Sequence, residues 1–228
     1  RANTLKTTVE ELAEHLTRSG IEHQKSTVIP EELTLTSPGL PVHTQWFREG
    51  HFIFQDPASL LPPHLLEPQP GDWVLDMCAA PGGKSTHLAQ LSQGHARIVA
   101  LDKDWRRLHA VRENADRLGI ETIHLIGADG ACPPLPGSGF DRVLVDAPCS
   151  GLGTLRRHPD IKGRMNPETI QRLGEQQRAL LRSGVNLCKN GGVIVYSVCT
   201  FSRQETDAVV QSVLNDGMVE LEDGPEWL

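Results

Sequence analysis

Trp73-Val74-Leu75-Asp76-Met77-Cys78-Ala79-Ala80-Pro81-Gly82-Gly83-Lys84-Ser85 passes from an apolar run into a loop of small residues and on to a helix start. The apolar run over 73–77 predicts a strand. The alanines and glycines that follow let the backbone approach a ligand closely. A helix predicted over Gly83–Leu91 aims its first amides at the same place, where an anion is favoured. From there the hydrophobic period alternates. Arg97–Leu101 reads as a second strand; Leu108, Val111, Ala115 and Leu118 mark a helix ending at Gly119. Ile123–Ile126 and Arg142–Val145 read as a third and a fourth strand. Ile170, Leu173, Leu180, Leu181 and Val185 lie on a long helix expected to stop at Gly191-Gly192, before a fifth strand over Val193–Val198. Ser202 with Glu205 reads as a capping box opening a last helix over Ala208, Val209, Val213 and Leu214. This rhythm predicts an α/β, Rossmann-like fold: a mostly parallel sheet with helices on both faces. Ligands of such sheets bind beyond the carboxyl ends of the strands.

Residues 1–56 read differently. Thr8 with Glu11 forms a capping box, and Val9, Leu12, Ala13 and Leu16 give an amphipathic helix over about 9–19. Short strand-like pieces follow at Glu32–Thr36 and Phe52–Phe54, separated by Pro30, Pro38, Pro41 and glycines. The expected organisation is a small, partial α+β subdomain over 1–56 and a larger α/β domain over 57–228, joined through a short helix within Asp56–Leu66.

Composition narrows the function classes. The 228 residues carry 22 basic and 29 acidic side chains, a net charge of −7, which excludes a globally basic coat but not a local basic patch. No run approaches the length of a membrane span, and no signal-peptide core opens the chain. The five cysteines (Cys78, Cys132, Cys149, Cys188 and Cys199) include no C-x-x-C pair, and the ten histidines show no i, i+4 pairing. Neither a disulfide framework nor a metal site is expected, and a reducing cytoplasm fits.

Acids recur just past the strands: Asp76, Asp102, Asp129 and Asp146, joined on the same edge by Cys149 and Cys199. Asp102 lies twenty-six residues beyond Asp76, where a carboxylate can hold the hydroxyls of a ribose. Positions 78–85 also approach a phosphate-binding G-x-x-x-x-G-K-[ST] loop, with Cys78 in place of the first glycine. That substitution removes the turn residue the phosphates need, and Asp102 has no role in such a scheme. The phosphate-loop reading is therefore the weaker one.

Asp76–Lys84, Asp146-Ala147-Pro148-Cys149-Ser150-Gly151, Arg156-Arg157-His158-Pro159-Asp160-Ile161-Lys162 and Tyr196-Ser197-Val198-Cys199-Thr200 resemble, in order and spacing, the Sun/Nop family of RNA cytosine-5 methyltransferases. Arg1–Lys6 and Gln55–Ser59 share the likeness, which is strongest to the bacterial ribosomal-RNA branch, the RsmB type. The resemblance implies a class I methyltransferase fold with a ferredoxin- or RRM-like piece before it, and S-adenosylmethionine as methyl donor. It places Cys78, Ala79, Ala80, Pro81, Gly82, Gly83 and Lys84 around the donor's methionine and ribose, Asp102 on the ribose hydroxyls, Asp129 by the adenine, and Asp146 near the reacting methyl. It makes Cys199 the nucleophile, Cys149 the helper in adduct breakdown, Asp146 the partner of the cytosine ring, and Lys84 an orienting group. A thiolate adding at carbon 6 turns carbon 5 into a nucleophile, splitting one hard step into two. Val198-Cys199-Thr200 departs from the family's more usual Thr-Cys-Ser.

Segment 151–182 holds seven basic residues against three acidic ones. Within it Arg156, Arg157 and Lys162 are the expected RNA contacts, and Arg172, Arg178 and Arg182 a solvated helix face. Cys132 and Cys188 are expected as buried structural thiols. The expected partner is RNA, ribosomal before transfer RNA, bound by a cytoplasmic monomer without a metal. A non-catalytic RNA-binding assembly factor is the alternative. The resemblance also leads one to expect a helical RNA-binding domain before Arg1 and further strands beyond Gly224-Pro225-Glu226-Trp227.

Overall fold

A computed structural model describes residues 1–36 and 41–224; Pro38 and the segment 225–228 lie outside the described residues. Its centre is a five-stranded sheet of β3 (Trp73–Asp76), β4 (Arg97–Asp102), β5 (Ile123–Gly127), β6 (Phe140–Asp146) and β7 (Cys188–Ser197). The strand order is β5-β4-β3-β6-β7 and every pairing is parallel. From β3 the chain builds outward through β4 and β5, then returns to the other side of β3 for β6 and β7. The reversal creates a switch point between β3 and β6, where a crevice opens beyond the carboxyl ends.

Successive strand residues face opposite sides, and both sides are covered. Val74, Ile98, Ala100 and Leu144 pack with Leu88, Leu108, Val111, Ala115 and Leu118 of α4 (Gly83–Leu91) and α5 (Trp105–Leu118). Leu75, Val99, Leu101, Val143 and Val145 pack with Leu180, Leu181, Val209 and Val213 of α7 (Pro167–Leu187) and α8 (Asp207–Leu214). That is why β3 and β6 read as continuous apolar runs. Gly119 ends α5 at φ 73, a left-handed cap that a side chain would strain.

Before the sheet, the Thr8–Glu11 capping box forms and α1 spans Val9–Arg18. Leu12, Ala13 and Leu16 bury against Ala2, Leu33 and Phe52. The strand expected at 32–36 is β2 (Leu33–Leu35), antiparallel to β1 (His23–Lys25), which the sequence does not announce because its residues are polar. The strand expected at Phe52–Phe54 is a single bridge, Phe52 to Ala2, and α2 (Gln45–Arg48) precedes it. The entry helix is a 3-10 turn over Pro57–Leu60 continued by α3 (Leu61–Leu66).

Two boundaries differ from the sequence reading. Helix α7 ends at Leu187, and β7 begins at Cys188 before Gly191-Gly192. Cys188 pairs with Phe140 and Val193 with Arg142, so the glycines bulge out of the ladder, with Gly191 at φ 76. Glu205 caps no helix: α8 starts at Asp207, and its N-cap Thr206 makes no side-chain capping bond. Among the described residues no helix is long and apolar enough to cross a membrane.

Candidate active site

The register of the two strands at the switch brings the cysteines together. Asp146 pairs with Ser197, so Cys149 lies three residues beyond one end and Cys199 two beyond its neighbour. Their sulfurs are 3.0 Å apart, and the Cys199 amide donates to Cys149 Sγ at 3.3 Å. The Cys149 thiol hydrogen-bonded to Cys199 holds the latter down to about 7, against burial and the Asp146 carboxylate, which push it up; Lys84 helps. The same contact, with burial, pushes Cys149 up. The pair therefore carries one readily lost proton, and Cys199 is the exposed thiolate.

Lys84, from the first turn of α4, reaches across the switch point and donates to Asp146 Oδ2 at 2.6 Å. This pair and the two thiols form one cluster, since both Asp146 and Lys84 act on Cys199. In a phosphate loop that lysine would be turned to phosphate; here the Asp146 carboxylate engages it.

The loop from Cys78 to Gly83 runs alongside. Ala79 N–H donates to Leu101 O at 2.9 Å and Ala80 N–H to Asp102 Oδ2 at 3.2 Å, fastening the loop to the end of β4. Gly82 sits at φ 101 as the cap of α4, and a Cβ there would come within 3.0 Å of the Val111 backbone. Cys78 is a different thiol from Cys199: burial, then Asp76, Asp102 and Asp146, push it up to about 12. Asp102 is buried and also accepts from Asp104 N–H and Arg107. Asp129 is exposed beyond β5 and accepts from Ala131 N–H at 2.9 Å. The small-residue cradle, a helix N-terminus and a carboxylate at the next strand end fit a ligand with a carboxylate and a ribose.

The expected RNA contacts lie on the chain just after Cys149. Gly153 N–H donates to Cys199 O at 3.0 Å, so this segment leaves from the cysteine pair itself. Arg156 and Lys162 are exposed. Arg157, also exposed, is ion-paired with Asp56 and so partly engaged within the chain. On α7, Arg182 pairs with Asp216 at 3.0 Å. Cys188 is buried as expected, whereas Cys132 is exposed because its proline- and glycine-rich loop passes over the surface.

Two groups have no role in the sequence reading, which names Asp76 only among the acids past the strands and Glu205 only as half of a capping box. Asp76, fully buried at the end of β3, accepts from Ser85 Oγ at 2.6 Å, and burial pushes it up to about 7. Glu205, also fully buried, accepts from Ser150 and Thr200, the residues after each cysteine. The Ser202–Glu205 spacing imitates a capping box and hides this.

Elsewhere, Glu31, His64 and His87 bring ligand atoms within 4.8 Å of one another, a donor set of the kind metals take. The Glu31–His64 separation of 2.8 Å is that of a hydrogen bond, and Glu31 also contacts His87. The fully buried Arg1 guanidinium stands close enough to disfavour charge on His87. No local spacing signals this trio, because Glu31 lies 33 residues from His64 and 56 from His87.

The chain is 38% identical over 218 residues to the probable ribosomal RNA small subunit methyltransferase B of Bacillus subtilis, covering 95% of this chain and 48% of that protein. It is 35% identical to the 28S rRNA (cytosine-C(5))-methyltransferase of Mus musculus, covering 97% of this chain and 29% of that one. The chain thus spans about half the length, or less, of the curated relatives it matches. Its structure superposes on the methyltransferase homolog protein from Pyrococcus horikoshii with a TM-score of 0.83 at 34% identity, over 95% of this chain and 68% of that one. It superposes on NSun6 from Pyrococcus horikoshii, solved with SFG, with a TM-score of 0.90 at 25% identity, over 98% and 80%. The family pattern described as 16S rRNA methyltransferase RsmB/F matches residues 63–225, which begin within α3 and include the whole five-stranded sheet. The likeness thus holds in sequence as well as in shape, and the chain belongs to the RsmB/F methyltransferase family.

Proposed function

We propose that this chain carries the catalytic part of an S-adenosylmethionine-dependent methyltransferase that forms 5-methylcytidine in small-subunit ribosomal RNA. The observation that carries the reading is the Cys149–Cys199 pair, 3.0 Å apart, beside the Lys84–Asp146 bridge. Support comes from the relatives' names and from NSun6, whose SFG is an S-adenosylmethionine analogue. When bound, S-adenosylmethionine supplies the methyl group. Cys78–Lys84 would line its methionine and ribose portion, Asp102 would hold its ribose hydroxyls, and Asp129 would sit by its adenine.

Cys199 as thiolate forms a C–S bond to carbon 6 of a cytosine taken out of its stack. The electron pair displaced from the ring makes carbon 5 the nucleophile that takes the methyl group, and the donor leaves as the neutral thioether, its sulfur keeping the electrons of the broken sulfur–carbon bond. Asp146, fixed by Lys84, holds the ring in its protonated, electron-poor form. The proton on carbon 5 then leaves to a base, the C–S bond breaks, and Cys199 recovers its electron pair; Cys149 assists this breakdown. Arg156, Arg157 and Lys162 take the RNA backbone, with residues 1–56 as an RNA-contacting subdomain and 57–228 as the methyltransferase domain. The protein acts as a cytoplasmic monomer.

The test is a denaturing gel of wild-type, Cys149→Ala and Cys199→Ala protein incubated with S-adenosylmethionine and unmodified ribosomal RNA. A covalent protein–RNA band that accumulates with Cys149→Ala and is absent with Cys199→Ala is expected. Cofactor binding with no band and no methyl transfer in any form would replace this reading with a non-catalytic RNA factor. Transfer only to transfer RNA would move the substrate.

A further inference from the structure

The two cysteine loops are not joined by their sulfurs alone. Behind them lies Glu205, with no exposed surface. Its Oε1 accepts from Ser150 N–H at 2.8 Å and from Gln177 Nε2 at 3.1 Å. Its Oε2 accepts from Ser150 Oγ at 2.5 Å and from Thr200 Oγ1 at 3.3 Å. Ser150 and Thr200 hydroxyls also meet each other at 2.9 Å. Gln177, itself buried on α7, donates onward to Pro148 O at 2.8 Å, and Tyr196 OH donates to the Glu205 carbonyl at 2.7 Å. One carboxylate thus gathers the residue after Cys149, the residue after Cys199, and the carbonyl before Cys149 through Gln177. A buried carboxylate is expensive unless such donors surround it, so the arrangement ties its own stability to the loops' closeness.

We infer that Glu205 is the positioning residue that sets the separation of Cys149 and Cys199, holding the two loops in the register the reaction needs. This rests on the reading of Cys199 as nucleophile. Glu205 touches neither reacting sulfur, so it acts through Ser150 and Thr200. The Cys199 sulfur meets the Cys149 thiol, and Asp146 and Lys84 act on it through their charge. Loosening the clamp leaves Asp146 and Lys84 in place and withdraws the Cys149 hydrogen bond.

Glu205→Ala is expected to lower kcat by about 10²-fold, the size of effect a misplacement of roughly 1 Å produces. Binding of S-adenosylmethionine stays unchanged, because the cofactor loop is fastened to the end of β4 and not to the clamp. In the protein alone, the pH midpoint for alkylation of Cys199 by iodoacetamide rises by about one unit or more as the thiol donor withdraws. Glu205→Gln restores most of both effects, since an amide can take the same partners once the two hydroxyls reverse. If Glu205→Ala does not fold, Ser150→Ala combined with Thr200→Val removes both hydroxyl links and is expected to move kcat and the midpoint in the same direction. A folded variant with a lowered melting temperature but unchanged kcat and midpoint would reduce Glu205 to a structural residue and overturn the proposal. A wild-type protein that transfers no methyl overturns the nucleophile reading instead, while the alkylation midpoint still reports the clamp.

Discussion

Cys78 and Cys199 carry the same functional group about a sheet edge apart, and their surroundings send them in opposite directions. Cys78 meets burial and three carboxylates and stays a thiol at any physiological pH. Cys199 meets a thiol donor 3.0 Å away and a lysine, and drops to about 7. Removing the donor reverses this. Cys149→Ala is expected to raise the alkylation midpoint of Cys199 by about one to two units, the worth of one hydrogen bond to a charged acceptor. Mass spectrometry of the alkylated peptides across a pH series reads it. A midpoint that stays near 7 would mean that Lys84 alone sets the thiolate. At this scale the sequence was informative where a residue's neighbours in the chain are its neighbours in space. The Pro-Cys motif, Cys199, Lys84 and Asp146 could be named from their flanking residues. Glu205 could not, because its partners Ser150 and Gln177 lie 55 and 28 residues away, and its local spacing matches a commoner motif.

Elements place these residues, and the tolerance of their joints is measurable. The turn after Cys149 passes so near the Cys199 backbone that a Cβ on Gly153 would lie 2.9 Å from Cys199 O. That atom already accepts from Gly153 N–H at 3.0 Å, so neither side can retreat without breaking the bond. Gly153→Ala is expected to shift Cys199 and cut methyl transfer by about tenfold to 10²-fold, without loss of cofactor affinity. Gly163, in the short helix α6 (Ile161–Arg164), has nothing within 4 Å of an added Cβ. Gly163→Ala should leave turnover and melting temperature within error. Single-turnover rates on the two variants check the contrast, and equal rates would show that the turn yields. Strands β3, β4 and β6 were legible as elements because two covered faces demand apolar runs, and β5, at the sheet edge, through Ile123, Leu125 and Ile126 alone. The start of β7 was not, since a bulge at Gly191-Gly192 carries a helix-ending signal into a strand. Polar β1 left no hydrophobic trace either.

Across the whole molecule, the residues before the sheet are bolted to it by polar groups the sequence scatters widely. Asn3 donates to Leu118 O at 2.9 Å, Arg117 to Phe47 O and Phe52 O at 2.8 and 3.0 Å, and Arg1 to Thr86 Oγ1 at 3.0 Å. The deepest bolt is Glu31 against His64 and His87. Burial, with Arg1 and His64 adding, lowers His87 to about 3 despite the opposing pull of Glu31. The imidazole is therefore neutral in the fold and donates to Glu31, which the two histidines hold below its ordinary value in spite of burial. Both groups are depressed, so the unfolded chain binds more protons than the folded one, and stability rises with pH. The His87 contribution is complete above about 6.5, the unfolded value, and is lost as pH falls toward 3. Glu31 adds to the loss only below the ordinary range for a glutamate. Through the window from pH 6.5 to 5 one such group costs about 1.4 kcal/mol per pH unit, or about 3–5 °C in a chain of this size. His87→Gln keeps a donor for Glu31 but cannot take up a proton. Its melting temperature is expected to fall less steeply over that window, by about 3 °C per pH unit. Thermal unfolding of both proteins in matched buffers decides it: parallel slopes would mean that His87 titrates alike in the folded and unfolded chains, and that acid loosens the molecule somewhere other than this seam.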